Sequence, residues 1–463
     1  MSPSIYTVAA ALAVATPPPA DFAAYEPVAQ RIAAAAQNES RAYERLEELC
    51  DDIGPRLSGS RGLERAIEWA VATFRADEQE SIRREQVMVP RWVRGQESAK
   101  MVAPYERALP MLGLGGSVGT SVGGLTAEVC VVSDEEELEE KADELWGQIV
   151  LFDNPMPDYD PEKGAQYGRT VRFRANGARL AAEHGAVGCL VRSVTARSLH
   201  TPHTGGMNYG DASVKIPAAA ITAEDAALIH RLTDRGKRVR VELKMDARDE
   251  GEVPSANVVA ELRGTTAAQE VVVIGAHLDS WDVGQGAHDD GSGCATVIEA
   301  LATLRRLGLR PRRTIRAVLF TNEENGLAGA RAYAENQGEA LSRHAAAIEC
   351  DSGGFRPRTL SVKLKDEGKE ARAASQLEAL LPLVSSVGVE RVTTGGSGAD
   401  VSQMVPAGVP TLGLRTEGSR YFDYHHTHAD TFDKVDKADL DRNVAALAIA
   451  AYVLADMPGR LGD

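Results

Sequence analysis

Two hydrophobic rhythms divide this chain. Between about residues 38 and 85, apolar side chains recur every three or four positions, the spacing of helices with one buried face. ESRAYERLEELCDDIG sets Tyr43, Leu46 and Leu49 on one side, and Gly54-Pro55 ends the run. GLERAIEWAVATFRADE repeats the pattern with Ile67, Ala70, Val71 and Phe74. REQVMVPRWVRGQESAKMVAP then switches to the alternation of strands. The glycine-rich run MLGLGGSVGTSVGGL comes next and leads into a strand, LTAEVCVV. A dinucleotide-binding turn would lead into a helix, so the run predicts a linking loop.

The texture changes between about 121 and 250. EVCVVSD, GQIVLFDN, GAVGCLVRS and KIPAAAIT read as short strands, separated by helical stretches such as RANGARLAAEHG. This predicts a small β/α domain inserted into a larger one. Its acidic run at 134–144 reads as a helix with a solvated face. The polar segment RSLHTPHTGGMNYG holds His200 and His203 at a spacing open to metal binding, but it reads as a surface loop.

After Pro254, strands and helices alternate to the end, as in a parallel sheet covered on both faces. The terminal helix DLDRNVAALAIAAYVLADM packs Val444, Leu447, Ala448 and Ala451 on one side. The expected fold class is therefore α/β, a mostly parallel mixed sheet with helices on both faces and an inserted β/α domain. The expected divisions are 38–120 and 255–463 for the main domain and 121–250 for the insert. A length of 463 residues fits two or three domains.

Composition narrows the partners. The chain has 51 basic and 67 acidic residues, a formal net charge of -16. That balance argues against nucleic acid or an anionic membrane and leaves metal cations and small peptides. The five cysteines (Cys50, Cys130, Cys189, Cys294, Cys350) show no CxxC spacing and read as free thiols. No apolar run is long enough to span a bilayer. At the N-terminus, the run from Ile5 to Ala15 closes on Ala13-Val14-Ala15 before a group of prolines. This reads as an export signal over residues 1–20, hence a secreted or periplasmic protein, although no Lys or Arg precedes it as an export signal would have; without export, the protein would be cytoplasmic.

The chemistry lies where predicted strands end. VVVIGAHLD ends in His277 and Asp279, and the loop after it carries Asp289 and Asp290 into a helix. TIRAVLFTNEENG ends in Glu323 and Glu324, HAAAIECDSGG in Asp351, and TLGLR leads to His425, His426 and His428. Ligand sites in open α/β sheets lie outside the carboxyl ends of the strands. Two metals about 4 Å apart need a bridging carboxylate, with one nitrogen and one oxygen ligand each. His277 and Asp351 can hold one zinc, Glu324 and a late histidine the other, with Asp289 between them. Glu323 would then face the water between the metals, and Asp279 would hold the second ring nitrogen of His277.

The motifs HxD, GxxDDGSG, NEE, ECDSGG and YHxxHxDT together resemble the di-zinc aminopeptidase and glutamate carboxypeptidase family. The likeness is strong over about 255–463 and looser over 40–110. It implies an exopeptidase that hydrolyses dipeptides or short peptides with a metal-activated water and works as a homodimer with two zinc ions per chain. It also implies zinc ligands His277, Asp289, Glu324, Asp351 and His426, with Asp289 bridging and Glu323 as general base. His426 is preferred to His425 because it begins the family's H-[TS]-x-x-D-T pattern. His428 replaces a proline common among relatives and is expected to face substrate, while His288 stands where Asn or Met is usual. The 121–250 insert resembles a protease-associated domain. Two rival readings share the fold, a single-zinc glutaminyl-cyclase-like acyltransferase and a non-catalytic binding protein.

Overall fold

The computed structural model describes residues 22–463. The proposed export signal at 1–20 lies outside them. The first nine strands are β1 (Glu80–Val93), β2 (Glu97–Ala103), β3 (Arg107–Leu109), β4 (Met111–Gly113), β5 (Leu125–Val132), β6 (Ile149–Phe152), β7 (Gly188–Arg192), β8 (Ala218–Ile221) and β9 (Arg240–Met245). Seven more follow: β10 (Arg248–Leu262), β11 (Ala267–His277), β12 (Arg313–Phe320), β13 (His344–Glu349), β14 (Pro357–Lys363), β15 (Arg391–Thr394) and β16 (Thr411–Thr416). They form two eight-stranded mixed sheets.

The first sheet runs β1-β10-β12-β11-β13-β16-β14-β15. Its four central strands, β12, β11, β13 and β16, are mutually parallel, so their carboxyl ends share one edge. Antiparallel pairings flank them on both sides. The β-branched run of β11 shows why the sheet is covered twice. Val272 and Ile274 bury into one core cluster with helices Ser292–Arg306 and Lys437–Asp456, and Val271 and Val273 into the opposite one with Tyr333 and Met404. Helix Lys437–Asp456 buries far more than the expected stripe, including Ala445, Ala446, Ile449 and Ala450.

Helix formation also begins earlier than the sequence pattern suggests. Helix Glu26–Glu39 starts well before residue 38, and β1 already starts at Glu80. The glycine of Gly54-Pro55 does end its run, with φ of 78°. Strands β14 and β15 were not expected, being set among polar residues.

The second sheet runs β3-β2-β9-β5-β6-β7-β8-β4. Strands β2, β3 and β4, which lie before residue 121, belong to it as well. The chain enters it through β1–β2 and leaves through β9–β10, two neighbouring crossings in one antiparallel ribbon. All five cysteines are free, and all but Cys130 are buried. Among the described residues no helix is long and apolar enough to cross a membrane.

Candidate metal centre

The parallel strand ends do bring the expected residues together. Asp289 is the centre of the group, and its two carboxylate oxygens face different partners. Oδ1 lies 3.2 Å from His277 Nε2, and Oδ2 lies 3.2 Å from His426 Nε2. Glu324 Oε2 is 3.0 Å from the same His426 nitrogen, and Asp351 Oδ1 is 3.8 Å from His277 Nε2. One carboxylate thus stands between two imidazole–carboxylate pairs.

Both imidazoles are held the same way. His277 Nδ1 lies 2.9 Å from the Asp279 carbonyl, and His426 Nδ1 lies 3.2 Å from the Thr204 carbonyl. A carbonyl can only accept, so Nδ1 of His277 carries the proton; Nδ1 of His426 also lies 3.4 Å from Arg174 Nη1, which can only donate, and both rings turn Nε2 toward Asp289. His426 is held with φ of 61°, in the left-handed region that a side chain adopts at a cost.

The expected partner of His277 is therefore corrected in part. Asp279 fixes the ring through its backbone carbonyl, and its carboxylate oxygen is 3.9 Å from Nδ1. That carboxylate instead accepts hydrogen bonds from the Glu323 N–H (3.0 Å), the Glu324 N–H (3.3 Å) and the Ser58 hydroxyl (3.3 Å). It fixes the backbone from which both glutamates project. Asp290 accepts from the His277 N–H and the Gly293 N–H, so it braces the strand end and the first turn of helix Ser292–Arg306.

The charges show what the site lacks. Burial alone would push the Asp289 carboxyl up, but the His277 and His426 imidazoles beside it outweigh burial and hold it well below the usual range. Burial opposes a proton on His426, yet Glu324 and Asp289 raise that ring to about 9. Burial pushes Glu324 up to about 7, with the Asp289 charge adding to it. Glu323 is also raised well above the carboxylate range by burial, then by Asp351, Glu324 and Asp289. Crowded carboxylates with imidazoles as their near cationic partners are costly unless a stronger cation joins them. His277 Nε2 and Glu324 Oε1 are buried without a hydrogen-bond partner. Oxygen and imidazole donors converging on such unmatched atoms fit divalent zinc.

The remaining histidines separate clearly. His425 stacks on His426 at 3.5 Å between ring centres, and its Nε2 is 3.6 Å from Asp289. Burial and the neighbouring His426 keep it neutral. His428 is exposed. His288 is buried, stacked on Phe355, and accepts the Gly354 N–H through Nδ1. The 197–210 segment is surface loop only in part. His200 is exposed, but His203 and Thr204 are buried against the last loop, with His203 Nδ1 donating to the His425 carbonyl at 2.8 Å. Its glycines let the backbone approach closely, which the hydrophilic composition concealed.

Three supporting residues are not evident from the sequence pattern. Arg56 is fully buried and donates to the carbonyls of Leu278, Gly54, Gln285 and Gly286. It thereby ties the start of the metal loop to the N-terminal helices. Asp430 accepts from the backbone N–H groups of His288 and Asp289. Its place in the HxDT motif was the available signal. Trp281, buried beside His426, reaches across to the second sheet.

Comparison with known proteins identifies the family. Residues 257–451 match the family described as Peptidase family M28. The HLDSWDVGQGAHDDGSG and HHTHADT runs point within that family to carboxypeptidase Q. Carboxypeptidase Q of Mus musculus is 41% identical over 440 residues, covering 94% of this chain and 91% of its own. That of Homo sapiens is 40% identical over 419 residues, with coverages of 90% and 86%. The crystal structure of a peptidase M28 precursor from Shewanella amazonensis SB2B matches with a TM-score of 0.89 at 37% identity, covering 95% of this chain and 98% of the other. A zinc aminopeptidase from Bacillus subtilis shares the fold, with a TM-score of 0.64 at 20% identity and coverages of 91% and 96%. With motifs, fold and more than nine-tenths of the chain in agreement, this protein belongs to peptidase family M28.

Proposed function

We propose that the chain is a zinc-dependent exopeptidase that hydrolyses dipeptides or short peptides at a two-metal centre. The observation that carries this reading is Asp289, whose oxygens separately face His277 and His426. His277 and Asp351 would hold one ion and Glu324 and His426 the other, with Asp289 shared. Bound there, two zinc ions would supply Lewis acidity toward a substrate carbonyl and bring water within reach of a weak base.

The protein's own groups divide the remaining work. Glu323 is half-buried, borders a cavity, and makes no side-chain hydrogen bond among the described residues, so no other protein group engages its carboxyl. It would take that proton from the attacking water and return it to the leaving amine. Asp279 positions Glu323 through the backbone. The second sheet, read as a protease-associated domain over 121–250 and extended by β2–β4, walls the cleft through the loop that carries Thr204, and Trp92 of β1 in the first sheet lines the cavity beside Glu323. We further take the protein to be exported and homodimeric, as the sequence pattern and the family resemblance imply.

The test is a panel of dipeptides and end-blocked peptides on zinc-loaded protein, with metal counted per chain. Two zinc ions per chain and release of free amino acids support the reading. One zinc per chain, with ammonia released from an N-terminal glutamine peptide, would replace it with the cyclase alternative.

A further inference from the structure

The two imidazoles of the metal centre are steadied from different places. The carbonyl at His277 Nδ1 belongs to Asp279, two residues further along the same loop. The carbonyl at His426 Nδ1 belongs to Thr204, 222 residues away in the loop between β7 and β8 of the second sheet. Thr204 also donates its N–H to the His426 carbonyl at 3.0 Å, so it grips both the ring and the backbone of that residue. His203 adds a third bond, from Nδ1 to the His425 carbonyl at 2.8 Å. Together they hold His426 at a φ of 61°, a conformation that persists only when the surroundings fix it.

Thr204 is itself locked from behind. Its hydroxyl donates to the Gly113 carbonyl at 2.7 Å and accepts from Arg94 Nη2 at 3.3 Å. Arg94 directly follows β1 and donates through Nε and Nη2 to the two carboxylate oxygens of Asp282, at 2.9 and 2.5 Å. Asp282 lies in the loop that runs from His277 to Asp289. One line of bonds thus runs from the metal loop through Arg94 and Thr204 to His426, crossing from the first sheet to the second and back. Arg94, Thr204 and His203 are all buried, so these bonds are made away from water.

The position of the ring proton depends on the same contact. A metal at His426 Nε2 needs the proton of the neutral ring on Nδ1, where a carbonyl can accept it. Arg174, on helix Arg172–Glu183, places Nη1 3.4 Å from that nitrogen and can only donate, which favours the opposite tautomer. Gly205 lets the loop pass close to this arginine, since a Cβ there would fall 2.4 Å from the guanidinium carbon. Thr204 and Arg174 therefore pull on one nitrogen in opposite senses, and the seating of the loop decides between them.

We propose that Thr204, backed by Arg94, is a positioning residue that makes the Glu324–His426 metal site conditional on the second sheet, while the His277–Asp351 site is complete within the first. This rests on the two-metal peptidase reading above and names which of the two ions is lost when the loop shifts.

The experiment titrates metal-free, full-length protein with zinc and with cobalt(II), read by calorimetry and by the visible absorption of cobalt. Wild-type protein should take up two equivalents, and Glu324→Gln identifies the one on the His426 side by losing it. Thr204→Val removes the hydroxyl and keeps the shape, while the Gly113 carbonyl keeps a bond from Arg94 Nη1. It should weaken the His426-side equivalent by about tenfold or more, the scale of loss when the group that orients a metal-bound histidine is disturbed, and leave the other unmoved. The cobalt absorption of that equivalent should change with it, and Thr204→Ser should restore both. Gly205→Ala, which presses the loop off Arg174, should act as Thr204→Val does and keeps the test valid if that variant folds poorly. Equal weakening of both equivalents, or a lowered melting temperature with neither equivalent moved, overturns the proposal and leaves Thr204 merely structural. Two equivalents that divide as described, in a protein that cleaves no dipeptide, refute the peptidase reading while upholding this one. A single equivalent in wild-type protein overturns both.

Discussion

Trp281 occupies the space that a side chain on Gly115 would need, since a Cβ built on Gly115 falls against the indole ring. Trp281 lies two residues beyond Asp279 in the metal loop, and Gly115 follows β4 in the second sheet. The contact therefore seats one sheet on the other next to His426. Gly115→Ala should overpack this seam and cost about 1–3 kcal/mol. We expect a lower melting temperature together with a loss of kcat/KM. An unchanged melting temperature with full activity would show that the two sheets are not seated by this contact.

Glu323→Gln removes the proton acceptor but no proposed metal ligand. Zinc content should remain at two per chain while turnover falls about 10²-fold or more. Metal analysis beside steady-state kinetics checks both halves, and near-normal turnover would rule out the assigned role.

Arg56 offers a purely structural test. Its guanidinium serves four buried carbonyls, and leaving buried acceptors unsatisfied costs about 1–3 kcal/mol for each such group. Arg56→Met should destabilise the fold by at least about 3 kcal/mol and loosen metal retention. Denaturant titration measures the first effect, and zinc loss on dialysis measures the second.

Removal of metal should destabilise the wild-type protein, because ions that bind only the folded chain add stability by mass action. At about 1,000 times the dissociation constant the gain is about 4 kcal/mol. A chelator should lower the melting temperature and added zinc should restore it. A chelator-insensitive melting curve would count against a metal at Asp289.

One pH effect can be isolated far from the centre. His344 is buried beside Tyr333 Oη, and burial lowers its pKa to about 4. The unfolded ring takes up a proton near 6.5. Stability from the neutral folded ring is therefore present above about 6.5 and is lost as pH falls toward 4. Between pH 7 and pH 5 wild-type protein should lose about 2 kcal/mol more than His344→Gln. Parallel pH profiles in urea titrations would refute this.

The parallel sheet and its strand-end chemistry are legible in the amino-acid sequence by itself, because both depend on local pattern. A β-branched run such as Val271–Ile274 buries on both faces whatever lies around it, and a polar residue just beyond it must leave the sheet. His277, Glu323, Glu324 and Asp351 stand out as strand-end residues for that reason, whereas the choice of Asp289 and His426 came from the family resemblance.

What pattern could not supply was every relationship between residues distant in sequence. Arg56 has the look of an ordinary loop arginine until four carbonyls from two segments close around it, and His203 that of a solvated residue until the last loop covers it. Asp279 holds Glu323 and Glu324 by their N–H groups, a contact spanning more than forty residues. Local periodicity reports which side of an element is buried. Which group satisfies a buried donor, acceptor or charge is set by three-dimensional closure, and that is where the second half of this site is built.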